Sequence, residues 1–336
     1  MDLSVWCYSC KTDGFEDLGS YIESENTSKY VRILSNFKFG EHFNFSAQNL
    51  SENLNMNNTK INKLKYQNFI ELFRNRKFKR ISFLLGAGIS TSAGIPDFRS
   101  ENGYYSKIKA EYKLSHPEDL FSLDLFIKNP NLLYSFISEF VISNPKPTMN
   151  HYFMKYIQEQ GWLDVIFTQN FDGLESIVGI DDSKIIFSHG KINEGHCALC
   201  NESIPISEIK QCVDAKIIKR CPKCNGPCKP KIILYGEDLP RNFYENSEKL
   251  YQADLVFIIG TSLNVEPFAS LVDLIDSSKS WTVLINKNEV GNFRFGDLYN
   301  KNIFLEGLCD DLVKQIVIDC GWWDDFYKKY GSSLEN

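Results

Sequence analysis

The chain predicts an α/β protein, a doubly wound parallel sheet interrupted by a helical insertion and by one small cysteine-rich module. Three observations carry that prediction. Strand-length runs alternate with helical stretches, and the runs are apolar throughout, as in a parallel sheet covered on both faces. The first run, Ile81–Leu85, feeds directly into the glycine-rich turn Gly86-Ala87-Gly88, the place where such sheets hold a phosphate. Residues 191–228 break the rhythm, with six of the ten cysteines and no helical stripe.

Bulk properties set the outer limits. A chain of 336 residues, 43% hydrophobic, can build one large domain or two smaller ones. A net charge of −6 argues against duplex nucleic acid as the primary ligand. There is no apolar run of membrane-spanning length, and Met1 to Asp17 is too polar and acidic for a signal peptide. The expectation is an intracellular protein, cytoplasmic or nuclear or both, with no membrane and no direct nucleic-acid partner. Cysteines in that setting suggest metal or reactive thiols rather than disulfides.

Taken in order, residues 1–65 read as an N-terminal extension, with Asn44 to Asn62 as loop or disorder. Cys7 and Cys10 there form a lone CxxC, which lacks the four ligands of a closed zinc site. Tyr66 to Phe78 has apolar residues at helical spacing and ends in the basic run Arg74 to Arg80, read as a solvated helix end, a nuclear-import patch being the alternative. After strand Ile81–Leu85 and the glycine turn, Ser90 to Ala93 reads as the start of a helix whose free N–H groups favour an anion. Pro96 then interrupts, and Asp97-Phe98-Arg99 falls in a loop. Glu118 to Val141 is helical and split by Pro130; Thr148 to Gln160 is a helix ended by Gly161. Further strands are expected at Asp164–Thr168, Lys184–Phe187, Ile232–Tyr235, Leu255–Ile259, Trp281–Ile285 and Ile303–Leu305, with helices at Glu266–Asp276 and Cys309–Cys320.

Within residues 191–228, Cys197-Ala198-Leu199-Cys200 and Cys221-Pro222-Lys223-Cys224 are two CxxC pairs separated by twenty residues. Two such knuckles bring four thiolates to the corners of a tetrahedron, as zinc requires. Four protein ligands leave no position for water, so one structural Zn2+ is expected. A module of this size buries little core, and metal loss should unfold it. His196, Cys212 and Cys228 lie close by but complete no better-spaced pair.

Five motifs, in order, resemble the sirtuins, the NAD-dependent protein-lysine deacylases of the eukaryotic deacetylase class. They are Gly86 to Ser100; Thr168-Gln169-Asn170-Phe171-Asp172 with Leu174-Glu175; Ser188-His189-Gly190; the paired cysteines with Tyr235-Gly236-Glu237; and Gly260 to Pro267 with Ile285-Asn286-Lys287 beyond. The likeness covers roughly residues 66–325. It implies a Rossmann-like NAD-binding catalytic domain over 66–190 and 229–325, a helical insertion at about 100–162, a zinc-binding module over 191–228 and a C-terminal tail over 326–336.

The resemblance also implies roles. Gly86, Ala87, Gly88, Ser90 and Thr91 would hold the pyrophosphate of NAD. Gly260, Thr261, Ser262, Asn286 and Lys287 would contact the adenosine half, and the Cys309 backbone the adenine, a buried structural thiol being the alternative for Cys309. Asp97, Phe98, Arg99 and Tyr105 would form a cofactor loop over the nicotinamide end. Gln169, Asn170 and Asp172 would line the nicotinamide pocket, where an amide needs a donor and an acceptor. His189 would be the general base and Asn170 a second catalytic residue, although a His before a Gly is, alone, more often structural. Ile233, Leu234, Tyr235, Gly236, Glu237 and Val265 would bind an acylated-lysine peptide as an added strand, histones and tubulin being the proteins the family suggests.

In the implied reaction the acyl oxygen attacks the ribose C1′ as nicotinamide leaves. His189 then deprotonates the ribose hydroxyls, the 2′-hydroxyl attacks the amidate carbon, and water completes the route to free lysine and O-acyl-ADP-ribose. Mono-ADP-ribosyl transfer from the same pocket, and a non-catalytic NAD- or peptide-binding module, are the other functions weighed. Four residues depart from the family pattern: Phe171 for Ile, Lys191 for a small hydroxyl residue, Lys231 for Asp and Leu234 for an aromatic in the acyl channel. Leu234 suggests tolerance of longer acyl chains. Residues Phe121 to Lys146 lack the Tyr and Arg that would bind a second carboxylate, which argues against desuccinylation.

Overall fold

The computed structural model describes residues 47–142, 145–295, 297 and 299–335, with the backbone alone at 47–60 and 139–142. Cys7 and Cys10 lie outside the described residues. The chain divides into two units, residues 1–63 with 296–299 and residues 64–295 with 300–336. Helix α1 (Ala47–Arg74) starts in the first and, from Leu64, belongs to the second. The loop expected from Asn44 to Asn62 is therefore helix from Ala47 on. Its Asn-rich composition suggests disorder, but no Gly or Pro interrupts it.

Six parallel strands form the sheet: β1 (Ile81–Leu85), β2 (Leu163–Thr168), β3 (Ile185–Phe187), β6 (Leu255–Ile259), β7 (Trp281–Asn286) and β8 (Asn302–Glu306). Their order, β3-β2-β1-β6-β7-β8, reverses between β1 and β6, so a crevice opens beyond Leu85 and Ile259. Successive residues of each strand serve opposite layers. Phe83, Leu85, Phe257 and Ile259 pack with α1, whereas Leu84, Val256 and Ile258 pack with Phe243, Phe268 and Leu271. Two buried faces make the strands mostly apolar, Leu255–Ile259 throughout.

Helices α2 (Tyr104–Tyr112), α3 (Leu123–Lys128) and α4 (Pro130–Ile142) make the insertion, split at Pro130 as expected. Helix α5 (Met149–Glu159) follows, capped by a reciprocal Thr148–His151 pair. The antiparallel pair β4 (Gly190–Cys197) and β5 (Cys228–Ile232) carries the cysteine module with α6 (Ile206–Asp214). Its buried Cys197, Cys221 and Cys228 share one apolar cluster with Tyr104, Leu133 and Phe136 of the insertion. Helix α7 (Cys309–Asp319) packs on α5.

Several local expectations change. Ile232–Tyr235 is no strand of the main sheet; only Ile232 is in a strand, the end of β5. The helix expected at Ser90 is two 3-10 turns, Ala87–Ile89 and Thr91–Ala93, stopped by Gly94 in the left-handed region (φ 83°). Glu266–Asp276 gives only a 3-10 turn, Ala269–Leu274. The expected tail 326–336 is mostly helix α8 (Trp323–Leu334), with Phe326 and Tyr330 buried in the core beside α5. Aromatic residues on one helical face, ending on no breaker, explain it.

Candidate active site

The crevice at the strand ends holds a cavity of about 870 Å³. Gly86, Ala87, Gly88 and Thr91 line it after β1, Gln169 and Asn170 after β2, and Gly260, Thr261 and Ser262 after β6. Asn286 and Lys287 follow β7, and Cys309 opens α7. Asp97, Phe98 and Arg99 of the loop and Tyr105 of α2 also face it, with Ile233, Leu234, Tyr235, Gly236, Glu237 and Val265.

Gly86 and Gly88 also let two loops approach each other closely. A Cβ on Gly86 would stand 2.7 Å from the Gly260 oxygen, and one on Gly88 would stand 2.6 Å from the Gly260 Cα. Gly260 itself is left-handed, φ 63°. The Gly88 N–H donates to the Gly260 carbonyl at 2.9 Å. Two loops thus touch backbone to backbone and form one floor under the cavity. With no helix N-terminus in that turn, an anion would be met by turn amides, the Ser262 hydroxyl and the Arg99 and Lys287 cations, a donor set that suits a dinucleotide.

Amide side chains tie the floor together. Thr261 Oγ1 donates to Gln169 Oε1 at 2.6 Å, Asn286 Nδ2 to the Thr261 carbonyl at 3.1 Å and Asn170 Nδ2 to the Gly86 carbonyl at 3.2 Å. Ser90 and Asp172, expected in the wall, are not among the lining residues. Ser90 Oγ donates instead to Asp172 Oδ2 at 2.8 Å, and Asp172 Oδ1 accepts the Leu174 N–H at 2.9 Å. Asp172 acts from behind, because its side chain caps the turn at Gly173.

His189 follows the β3 strand end and lines the cavity. Its Nδ1 lies 3.1 Å from the Gln169 carbonyl oxygen, which can only accept. The proton of the neutral ring is therefore on Nδ1, leaving the Nε2 lone pair free to take a proton. Burial pushes the imidazolium down to about 4, so the ring is neutral at pH 7.

Around the far wall, Lys229 is fully buried and donates to Glu237 Oε2 at 2.8 Å. That same oxygen accepts the Leu234 N–H at 2.7 Å. The strand edge expected to be open is partly taken, since the Tyr235 N–H donates to the Phe121 carbonyl and the Leu123 N–H to the Tyr235 carbonyl. Leu234 is buried beside Phe171 and Phe121. Lys191 pairs with Asp182 at 2.9 Å and lies over the Phe187 ring; Lys231 pairs with Glu194 at 3.0 Å.

The cysteine pairs converge away from this cavity. One sulfur each from Cys197, Cys200, Cys221 and Cys224 lie within 4.8 Å of one another. The N–H groups of Leu199, Lys223 and Gly226 point at three of these sulfurs, each at 3.4 Å, as thiolates favour. The set fits tetrahedral zinc.

The Sir2 family pattern matches residues 86–267. The chain is 37% identical to the NAD-dependent protein deacetylase hst2 of Schizosaccharomyces pombe over 79% of each chain. It is 40% identical to mouse NAD-dependent protein deacetylase sirtuin-3 over 69% of each. It is 37% identical to NAD-dependent protein deacetylase HST2 of Candida albicans, over 71% of this chain and 76% of that one. The chain belongs to the Sir2 family.

Some lining residues of this Sir2-family cavity carried no motif in the sequence. Phe121 comes from the 3-10 turn before α3, Tyr244 from the helix Arg241–Ser247, and Asp310 and Asp311 from the first turn of α7. Asp310 accepts hydrogen bonds from Ser92 and from Asn150, joining the glycine turn to α5 and α7. The pair Asp310-Asp311 after Gly307 was the legible signal.

Proposed function

We propose that this chain is an NAD-dependent protein-lysine deacetylase with His189 as its general base. The observation that carries the proposal is the neutral His189 ring, hydrogen-bonded through Nδ1 and lining the same cavity as the Gly86–Gly88 and Gly260–Ser262 floor. NAD, when bound, supplies a ribose carbon from which nicotinamide departs and to which the acyl oxygen can add. Gly86 to Gly88 and Thr91 would hold its pyrophosphate, and Thr261, Ser262, Asn286 and Lys287 its adenosine half. Asp97, Phe98, Arg99 and Tyr105 would cover the nicotinamide end, where Gln169 and Asn170 present their amides. The His189 Nε2 would accept the proton of a ribose hydroxyl and hold it.

The acylated lysine would enter between Leu234 and Val265, with its peptide against Tyr235 to Glu237. Zinc, held by Cys197, Cys200, Cys221 and Cys224, would be structural. No described helix is long and apolar enough to cross a membrane. A nuclear or cytoplasmic protein substrate, such as a histone or tubulin, accords with the family.

The deciding experiment measures nicotinamide release from NAD with and without an acetyl-lysine peptide, in the zinc-loaded protein and in His189→Ala. Acetyl-dependent release with deacetylated product, lost in His189→Ala, is expected. Release without acetyl-dependence, or ADP-ribosylated protein as the product, overturns the reading. A finer point is acyl length. Leu234 lines the cavity with Phe98, Phe121 and Phe171, and a Leu there leaves more room than an aromatic ring. Matched acetyl and myristoyl peptides test this, and a clear acetyl preference in kcat/KM refutes it.

A further inference from the structure

Behind the cavity floor lies a polar cluster of His151, Asp172 and Glu175. Glu175 is fully buried in the short helical turn Leu174–Ile177, and neither carboxyl oxygen has a hydrogen-bond partner. His151, on α5, is fully buried as well. Its Nδ1 accepts the Thr148 N–H at 3.0 Å, so its proton is on Nε2, and that Nε2 has no partner either. One atom each of His151, Asp172 and Glu175 lie within 4.8 Å of one another.

Such a group of three is unfavourable with every carboxyl ionised. A buried, unpartnered carboxylate beside a second carboxylate is among the costliest arrangements in a protein interior. The charges and polar groups facing Glu175 are few. Asp172 repels its ionised form, the Thr168 hydroxyl favours that form, and Lys191 does so more weakly while engaged with Asp182. His151 is neutral, burial holding its imidazolium near 3. Burial first, and Asp172 second, push the Glu175 carboxyl up to about 8. Three unpartnered polar atoms, both Glu175 oxygens and His151 Nε2, are also a set that a single buried water can bridge.

We propose that Glu175 is a neutral carboxylic acid that, with His151 and one bridging water, donates to Asp172 and so positions Asp172 and Ser90 behind the nicotinamide end of the cavity. The proposal rests on the deacetylase reading for its kinetic consequence only. Asp172 keeps the single negative charge of the cluster and holds Ser90, which stands 3.4 Å from the Asn170 amide. When Glu175 loses its proton in mildly alkaline solution, two adjacent carboxylates repel and the Asp172–Ser90–Asn170 chain loosens. Glu175 is thus a positioning residue, acting through Asp172.

The test has two arms. Infrared difference spectroscopy of the zinc-loaded protein at pH 7 should show a protonated carboxyl band that Glu175→Gln removes. This arm needs no turnover, so it can fail or succeed apart from the deacetylase reading. In the second arm, Glu175→Gln, which keeps a donor and the shape, should retain kcat/KM for NAD within about threefold at pH 7 and lose the alkaline fall centred near pH 8. Glu175→Leu should lower kcat/KM by tenfold or more with the Tm close to that of Glu175→Gln. Absence of the carboxyl band overturns the proposal. So does an unchanged alkaline limb in Glu175→Gln, which decides the matter even where Glu175→Leu does not fold. A second metal ion per chain, beyond the one expected zinc, also overturns it by making the cluster a metal site.

Discussion

Lys229 and Glu237 form an ion pair in which the ammonium is fully buried and the carboxylate partly so, Nζ to Oε2 at 2.8 Å. The Lys229 Nζ also donates to the Ile232 carbonyl at 2.6 Å, and Glu237 accepts the Leu234 N–H. The pair therefore fastens the end of β5 to the turn that carries Leu234 and Tyr235. Removing one partner leaves the other as a buried charge, a loss of roughly 3 kcal/mol or more. Lys229→Ala should lower unfolding stability in urea by about that amount and raise the peptide KM more than the NAD KM. The double replacement Lys229→Met with Glu237→Leu should recover much of the stability but not the peptide KM.

The contact of Gly86 and Gly88 with Gly260 gives a second expectation. A methyl at Gly260 would meet the Gly88 Cα at 2.7 Å, in a left-handed backbone. Gly260→Ala should cost roughly 1–3 kcal/mol. NAD affinity by calorimetry should fall with it, since the floor parts where the dinucleotide would lie. Unchanged affinity would mean that the floor does not contact NAD.

Zinc removal should reach beyond the cysteine module. Cys197, Cys221 and Cys228 share an apolar cluster with Tyr104, Leu133 and Phe136. Chelation, or Cys221→Ser, should therefore raise hydrogen exchange in α4 and α6 together, while β1, β6 and β7 stay protected. Elemental analysis of the intact protein should give one zinc per chain.

His189 sets the acid behaviour. A group held to about 4 when folded, against an ordinary value of about 6.5, is still the neutral base at pH 5.5 and is protonated only as pH falls through 4. The acid limb of kcat/KM owed to His189 should lie well below pH 6. A limb centred near 6.5 would mean a solvated ring. The same shift makes the folded state lose stability on acidification, because the unfolded chain takes up this proton first. His189→Ala should lower kcat by about 10²- to 10⁴-fold, the usual range for a lost general base.

Local chemistry made much of this molecule legible. Short runs that are apolar at every position, as in Leu255–Ile259, alternate with helical stretches, and together these point to strands buried on both faces of an α/β sheet. Two CxxC pairs announce a zinc site because the ligand spacing is itself the geometry. The ordered motifs from Gly86 to Lys287 pointed to the family and, within it, to most of the residues that line the cavity. Pro130 marked the break between α3 and α4, since a proline cannot continue a helix.

What tertiary structure alone decided were relations between residues far apart in the chain. Nothing local says that Gly86 and Gly88 are small for the sake of Gly260, because that contact exists only when β1 and β6 lie side by side. The α8 helix read as a tail because its aromatic face has meaning only against Tyr156 and Tyr152 of α5. Asp172 read as a wall residue, but the turn at Gly173 directs it to Ser90. Glu175 looks like any surface acid until His151, from α5, is placed beside it. Periodicity and spacing report what each residue offers. Burial, and the partner that burial supplies or withholds, settles what it does.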